Sequence, residues 1–221
     1  MKFDITIGKY RLAALEKGAI KCSVENLADT ADITLPGTLF NRALKVEQKI
    51  AEGDAVRIRL GYDRILRDEF SGYVSEIATD NDSVRIHCED ELYKFRKDLK
   101  DRVLKSVTVK TLLTSVAEEV GKYEVACDYD FTYDNFTIHA ATGYDVLRKV
   151  QSETKANIYL RGKTLHVHPQ YAQIGEKVIY DFAVNIEKSD LKYRDASKRK
   201  FLAVVEGTDA KGKTIRIERG T

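Results

Sequence analysis

The chain has 221 residues, enough for one large domain or two to three small ones, each with its own core. Its 37 basic residues nearly balance 35 acidic residues, so the strong positive field of a dedicated DNA-binding protein or a polybasic membrane anchor is missing. The first residues, MKFDITIGKYRL, alternate instead of forming an apolar signal segment, and the sequence contains no apolar run long enough to span a bilayer. We therefore expect a soluble protein with no membrane partner.

The first 88 residues alternate apolar and polar side chains, a period that predicts half-buried β-strands. The alternating apolar sets are Ile20, Cys22 and Val24; Ala31, Ile33 and Leu35; Val56, Ile58 and Leu60; Phe70, Gly72 and Val74; and Val84, Ile86 and Cys88. Turn residues such as Gly53-Asp54 and Asp80-Asn81-Asp82 separate them. This pattern predicts an antiparallel meander or a small closed barrel, and closure would remove exposed strand edges.

One connection in this region is too long for a hairpin. Residues 37–53, GTLFNRALKVEQKIAEG, carry several apolar side chains between two predicted strands. The segment either packs back on its own barrel as a flap or projects, in which case a neighbouring subunit must bury its apolar side chains. We take the projecting alternative as a hypothesis and assign Leu39, Phe40 and Leu44 as subunit-interface anchors.

The middle third changes to a helical period. Residues 89–105 carry Leu92, Phe95, Leu99 and Val103 at helical spacing, which predicts an amphipathic linker helix or turn. A helix is predicted from about Thr108 to a stop at Gly121, with Leu112, Leu113, Val116 and Val120 on one side. A strand over residues 123–127, a helix capped by Thr142 with Asp145 in its first turn, and a hairpin turning at residues 161–163 complete an α+β module.

Beyond Pro169 the strand period returns and predicts a second small barrel. Its apolar positions are Val178 and Tyr180; Val184 and Ile186; Leu191 and Tyr193; Phe201, Ala203 and Val205; and Ile215 and Ile217. A turn over residues 209–212 joins the last two strands. The predicted fold is mostly β, with two small antiparallel barrels, over residues 1–98 and 171–221, flanking an α+β module over residues 99–170.

Three stretches of the sequence resemble the phage tail hub and late control protein D family, which is related to the base of type VI secretion spikes. Residues 23–37, SVENLADTADITLPG, resemble the family's opening strand pair before a projecting loop. Residues 52–97 are similar to its "GD-V-I-LGY-G" and "F-G-I" strands and the basic segment after them. Residues 106–125 and 143–169 are similar to its paired "L-I-GL" and "LR-A-G---Y-RG--L-V" units.

The resemblance implies a structural, non-enzymatic subunit without a cofactor. It implies a trimeric hub in which two tube-like barrels per subunit form a ring of six, joining the tail tube to the spike of a virion or a contractile injection system. Such a protein is made in the cytoplasm of the bacterial host and works in the tail baseplate. Members of the family usually continue well past the end of this sequence, so the second barrel is expected to be minimal or truncated.

Candidate chemistry gives no convincing catalytic or metal site. His166 and His168 lie two residues apart on a predicted strand and share a face, but no carboxylate or cysteine with ligand spacing adjoins them. His87 and Cys88 are neighbours on a strand and must face opposite ways. The three cysteines, Cys22, Cys88 and Cys127, are widely spaced among strand residues, which predicts reduced core side chains instead of disulfides.

The alternative function is a single-stranded nucleic-acid-binding barrel. Six tyrosines could stack bases, and the stretches over residues 94–105 and 188–200 are basic, although aspartates dilute both. The tyrosines are Tyr62, Tyr73, Tyr93, Tyr123, Tyr129 and Tyr133. Because tyrosine is also common in strands for packing reasons, the hub remains the preferred interpretation, with nucleic acid at most as passing cargo.

Overall fold

The computed structural model describes residues 2–36, 49–62, 65–79, 83–170, 177–190, 200, 202–208 and 212–220. The fold is predominantly β, as the sequence predicts. The chain divides into two compact units, Met1–Ile174 and Gly175–Thr221. Within the described ranges, no helix combines the length and apolar character needed to cross a bilayer.

The first unit begins with a seven-stranded antiparallel sheet in the order β2-β1-β5-β6-β7-β4-β3. Its strands are β1 (Lys2–Ile7), β2 (Tyr10–Arg11), β3 (Lys17–Lys21), β4 (Thr30–Pro36), β5 (Ala55–Tyr62), β6 (Ile65–Thr79) and β7 (Ser83–Glu89). Alternate side chains on β1, β4, β5 and β7 point into one core, which includes Ile5, Ile33, Ile58 and Ile86. The pairings described do not join β2 to β3, so closure into a barrel stays a prediction.

Two glycines allow close backbone contacts within this sheet. A Cβ at Gly72 would lie 2.0 Å from the carbonyl oxygen of Glu89 on the adjacent strand. A Cβ at Gly61 would lie 1.8 Å from the carbonyl oxygen of Ile65. Both positions therefore require glycine because a side chain would displace backbone, not a movable neighbouring side chain.

The α+β module follows and has a core of its own. Its elements are a 3-10 helix (Glu91–Arg96), β8 (Arg102–Thr108), α1 (Val109–Val120), β9 (Glu124–Cys127), β10 (Thr132–Ile138), α2 (Gly143–Thr154), β11 (Asn157–Arg161) and β12 (Thr164–His168). Strand β8 pairs antiparallel with β10, while β12 lies between antiparallel β11 and parallel β9. Leu112, Leu113 and Val116 of α1 pack with Leu147 and Val150 of α2 in this core.

The local signals at both helices are confirmed. The Thr108 side chain caps α1, and the helix ends at Gly121. Thr142 and Asp145 form a reciprocal capping box at the start of α2, in which each side chain accepts a hydrogen bond from the other residue's backbone N–H. The hairpin of β11 and β12 also lies where the sequence predicts it.

The helical alternative predicted for residues 89–105 is wrong in its second half. Only residues 91–96 are helical, and β8 begins at Arg102. Leu92, Phe95 and Leu99 are buried as predicted, but Val103 is 59% exposed. The chain leaves the helix because Lys97 is extended, and Asp98 then forms a bridge with Thr142.

The second unit contains one antiparallel hairpin among its described residues, β13 (Leu202–Thr208) paired with β14 (Thr214–Gly220). The strands predicted around Val178 and Val184 do not form, and residues 182–184 lie in a turn. Asp181 fixes this turn, because its carboxylate accepts a hydrogen bond from the Ala183 N–H and its carbonyl accepts from residues 184–186. Leu191, Tyr193 and Phe201 lie outside the described residues, and the second barrel stays a prediction.

Candidate assembly surfaces

The predicted interface anchors Leu39, Phe40 and Leu44 lie outside the described residues. The returning end of their loop is described, and it is fixed to the sheet. Ile50 is buried in the sheet core, and the Gly53 N–H donates to the Val74 carbonyl at 2.8 Å. The Asp54 carboxylate accepts a hydrogen bond from the Ala51 N–H at 2.9 Å. The chain is therefore held against the sheet where it enters β5.

The sheet face opposite the core carries charges of both signs, and we name it the charged face. Its members include Asp4, Arg57, Arg59, Asp68, Asp32, Glu76, Arg85 and His87. Arg57 makes a two-point ion pair with Asp68, at 2.5 and 2.8 Å. The Arg57 hydrogen bond holds the pKa of Asp68 below its usual value. Exposed pairs of this kind contribute little stability but set which surfaces can approach each other.

Asp4 is the most enclosed charge on this face. Its carboxylate pairs with Arg59 on the adjacent strand and with Arg11 at 2.6 Å. The Arg59 hydrogen bond, followed by that of Arg11, holds the pKa of Asp4 below its usual value despite its burial. Asp4 therefore stays ionised, and two arginine side chains extend from it toward the surface.

A second cluster lies on the same face of β4, β7 and β6. His87 on β7 lies directly opposite both Asp32 on β4 and Glu76 on β6. The Nδ1 atom of His87 lies 2.7 Å from the Asp32 carboxylate. Together with Arg85 and Ala78 these residues line a shallow depression of about 260 Å³. The cluster is suited to contact with another mixed-charge protein surface.

The outermost strands of the sheet are poor templates for uncontrolled strand pairing. Strand β2 is only two residues long, and β3 begins and ends with the exposed lysines Lys17 and Lys21. Short edges and lysines are common protections against edge-to-edge association. The outer strands of the sheet therefore offer little backbone for pairing with another sheet.

A polar joint connects the sheet to the α+β module. Glu89, at the end of β7, is 7% exposed and makes a two-point ion pair with Arg96, at 2.5 and 2.7 Å. The Arg96 guanidinium also lies 4.4 Å from the ring centroid of Tyr144 on α2. Leu27, from the loop between β3 and β4, inserts into the core of the module. No sequence motif pointed to this joint, because its partners are far apart in the chain.

Asp90 strengthens the same joint. Its carboxylate accepts hydrogen bonds from the Leu92 N–H at 2.9 Å and the Asp29 N–H at 3.2 Å. Burial raises the pKa of Asp90 to about 6, and the nearby charges of Asp29 and Glu89 act in the same direction. The Asp90 carboxylate therefore links the end of β7 to the 3-10 helix and to the loop before β4, and it titrates at mildly acidic pH.

The residues considered for chemistry are not gathered into one centre. His87 lies on the charged face, while Cys88 is in the core, where burial raises the pKa of its thiol to about 12. His166 and His168 share a face, and the Tyr159 ring contacts both. His168 is buried, with Nδ1 2.9 Å from the Pro169 carbonyl. Across the part of the chain that the structure describes, no group of three or more His, Cys, Asp or Glu is placed to hold a metal.

The tyrosines of the nucleic-acid alternative are mostly engaged with the protein. Tyr73 and Tyr93 stack on each other with ring centroids 5.7 Å apart. The Tyr123 hydroxyl donates to Glu91, and the Tyr129 hydroxyl donates to the Thr154 carbonyl. Tyr133 packs against Phe136, and Tyr62 is largely exposed. In the first basic stretch Lys94, Arg96 and Arg102 each pair with a glutamate. These contacts do not favour a stacking platform for bases.

Solved structures share the fold, and three of them are described below, whereas no protein-family model and no curated protein sequence matches the chain. The 43 kDa tail protein of prophage MuSo2 from Shewanella oneidensis is 16% identical with a TM-score of 0.53, over 75% of this chain and 53% of that one. A tail protein from Neisseria meningitidis MC58 is 12% identical with a TM-score of 0.58, over 98% of this chain and 67% of that one. Prophage tail protein gp18 from Listeria monocytogenes EGD-e is 12% identical with a TM-score of 0.55, over 97% of this chain and 67% of that one.

These similarities confirm the resemblance to phage tail proteins at the level of the fold. The matches to the Neisseria and Listeria proteins extend over nearly all of this chain, so they include both compact units. The chain spans about half the length of the Shewanella protein and about two thirds of the other two.

Proposed function

We propose that this chain, whose fold is that of prophage tail proteins, is a structural subunit of a phage or prophage tail baseplate hub. It forms a trimeric ring that joins the tail tube to the spike, and it acts through geometry instead of catalysis. Its site of action is the virion tail or a related injection machine, after synthesis in the host cytoplasm.

The observation that carries the proposal is the shared fold along nearly the whole chain. Two tail proteins match both units in one alignment, with TM-scores of 0.58 and 0.55. A similarity confined to the sheet would support only a common small β-domain. A sheet, an α+β module and a further β-unit in this chain order are more specific to tail proteins than the sheet alone.

The surfaces of the first unit are compatible with a ring. Its charged face presents paired arginines and carboxylates, which can meet complementary charges on a neighbour. Its outer strands are short or flanked by lysine, so neighbours are expected to pack without extending the sheet. In the ring, the seven-stranded sheet is the first tube-like barrel, and the second unit contributes to the other.

The tail assignment is tested in the phage or prophage that encodes the chain. Antibodies against the purified protein should label one end of isolated tails in electron micrographs, and deletion of its gene should stop tail assembly. Normal, unlabelled tails from the deletion strain would overturn the proposal. Tight retention of single-stranded nucleic acid by the purified protein, without tail labelling, would instead support the binding module.

The proposed interface loop is tested by Phe40→Asp. If the loop projects to a neighbour, this change should convert a trimer to a monomer at equal protein concentration, by light scattering, while the melting temperature stays within about 2 °C. The matched control is Val24→Asp, since Val24 is 56% exposed and lies outside the strands. A monomer that unfolds after the Phe40 change would show that the loop is a flap over its own core.

A further inference from the structure

The loop between β3 and β4 attaches the sheet to the α+β module, and we name its residues 22–29 the clasp loop. Leu27 and Ala28 of this loop are buried in the core of the module and not in the core of the sheet. The Gln151 side chain on α2 donates to the Glu25 carbonyl at 3.4 Å, which is long for a hydrogen bond. Two apolar side chains and a weak hydrogen bond therefore hold the middle of the loop on the module.

The clasp loop is not packed against α2 along its whole length. A cleft of about 280 Å³ is lined by Glu25 and Asn26 of the loop and by Tyr144 and Arg148 of the helix. Val24, Glu25 and Asn26 are exposed. Segments with few buried apolar contacts open at a lower free-energy cost than core helices. The loop is therefore suited to open while the rest of the first unit stays folded.

A reciprocal pair of hydrogen bonds fixes the end of the clasp loop to Asp90. The Asp29 N–H donates to the Asp90 carboxylate at 3.2 Å, and the Asp90 N–H donates to the Asp29 carbonyl at 3.0 Å. The same carboxylate accepts from the Leu92 N–H at the start of the 3-10 helix. The Asp29 carboxylate turns back into the loop and accepts from the Ser23 N–H at 3.1 Å. Asp90 therefore ties the loop to the segment that begins the module.

The charges that act on Asp90 are negative. Glu89 precedes it in the chain and Asp29 faces it from the clasp loop, and both charges oppose its ionisation. Arg96, the cation of this joint, is engaged in its two-point pair with Glu89. Among the residues that the structure describes, Asp90 itself forms no ion pair. Its ionised form is therefore held by backbone N–H groups without a cation.

The other groups around Asp90 do not offset these charges. Burial raises the pKa of the Cys22 thiol and of the Tyr144 hydroxyl above their usual values, so both stay neutral between pH 4 and pH 7. Glu91 is paired with a lysine of its own 3-10 helix. Strand β6 presents the backbone of Gly72, where an added Cβ would lie 2.9 Å from the Asp90 Cα. The negative neighbours of Asp90 therefore act without compensation.

We propose that Asp90 is a pH-sensitive clasp, whose protonated carboxyl keeps the clasp loop on the module and whose ionised carboxylate lets the loop open. The inference is independent of the proposed function, because the motion lies within the first unit. A proton taken up from water removes the repulsion between Asp90 and the carboxylates of Asp29 and Glu89. When the loop opens at neutral pH, the Asp90 carboxylate is hydrated and the Asp29 carboxylate moves away from it, so ionisation favours the open loop.

The test is amide hydrogen exchange of the full chain, followed by NMR at pH 5 and pH 7 with and without low urea. The Ser23 N–H donates to the Asp29 carboxylate and the Asn26 N–H donates to the Ser23 carbonyl, so these amides report on the loop and not on a bond to Asp90. Because the pKa of Asp90 is raised from 3.8 to about 6, their protection should be about ten-fold lower at pH 7 than at pH 5, after correction for intrinsic exchange rates. Low urea should not change their exchange, because local opening exposes little surface.

Substitutions at the joint assign the effect to Asp90. Asp90→Asn should abolish the change of loop protection with pH, whereas Asp134→Asn, the exposed control on β10, should keep it. Asp29→Asn removes a neighbouring negative charge but retains a side-chain acceptor for the Ser23 N–H, so it should make the change smaller.

Three results would overturn the clasp. The first is equal protection of the loop amides at pH 5 and pH 7 in the wild type. The second is a loop that shares the urea dependence of α1 and α2, because it would then open only when the whole unit unfolds. The third is an undiminished change with pH in Asp90→Asn or, where that variant does not fold, in Asp29→Asn.

Discussion

The two units of this chain use similar apolar patterns with opposite results. In Met1–Ile174 the alternating and helical patterns end in two cores whose central side chains, such as Ile86 and Leu147, are fully buried. In the described part of Gly175–Thr221 the same alternation produces a hairpin in which every residue is exposed. An apolar pattern therefore predicts a strand more reliably than it predicts that the chain itself covers that strand.

The difference has a physical cause in the number of layers. A sheet is stabilised when a second layer buries its apolar face. The first unit supplies such layers, since helices α1 and α2 pack within the module and the loop carrying Ile50 contributes to the sheet core. The hairpin has two strands and no second layer among the described residues.

The largest expected effect compares two leucines. Leu147 on α2 is fully buried, whereas Leu202 at the start of β13 is 66% exposed. Leu147→Ala should lower the free energy of unfolding by about 2–5 kcal/mol, because it leaves a cavity in the module core. Leu202→Ala should change it by less than about 0.5 kcal/mol. Urea denaturation followed by circular dichroism measures both, and equal effects would mean that Leu202 is covered in solution.

A second prediction concerns pH and the joint at Asp90. Its pKa is raised from 3.8 to about 6 in the folded chain, so folding favours the protonated carboxyl. The stability that this proton contributes is fully present below pH 3.8 and is lost as the pH rises through about 6. The stabilisation that comes from this proton therefore falls by about 2–3 kcal/mol between pH 4 and pH 7.

Asp90→Asn removes this titration. The unfolding free energy of the variant minus that of the wild type should rise by about 2–3 kcal/mol as the pH is raised from 4 to 7. Denaturation curves at several pH values measure the difference, and exposed Asp134→Asn is the matched control. A difference that does not change with pH would show that Asp90 is ionised throughout this range.

The sequence predicts the first unit well where local signals and burial agree. The start near Thr108, the stop at Gly121 and the Thr142 cap with Asp145 in the first turn mark the helix ends, and the structure confirms them. The prediction is wrong at Val103 because its spacing from Leu99 suits a helix, while pairing with β10 makes it an exposed strand residue. It is wrong at Val184 because the hydrogen bonds of Asp181 favour a turn over continued alternation.

Assembly surfaces are harder to predict because they depend on contacts between distant segments. The Glu89, Arg96 and Tyr144 joint needs three elements to meet, and residue spacing does not reveal that meeting. The charged face requires the strand order, since Asp4 and Arg59 are adjacent only because β1 pairs with β5. The alternation of Val205 and Ile217 was visible in the sequence, but their exposure among the described residues was not.

The smallest predicted effect compares two residues that cap the backbone in different units. The Thr142 hydroxyl accepts a hydrogen bond from the Asp145 N–H at 3.1 Å, and the Asp181 carboxylate accepts one from the Ala183 N–H at 2.7 Å. Thr142→Ala should cost about 1 kcal/mol of unfolding free energy, because α2 is part of a cooperative core. Asp181→Ala removes a comparable bond from an exposed turn, so the main unfolding transition should keep its midpoint.

Hydrogen exchange would detect the local effect of Asp181→Ala as faster exchange of the amides of residues 183–186. The Ala183 amide donates to the Asp181 carboxylate, and the amides of residues 184–186 donate to the Asp181 carbonyl. The two variants together measure how cooperativity is distributed along the chain. Equal shifts of the main transition would mean that both units unfold as one. A shift for Thr142 alone would mean that the second unit unfolds separately and contributes little to the main transition.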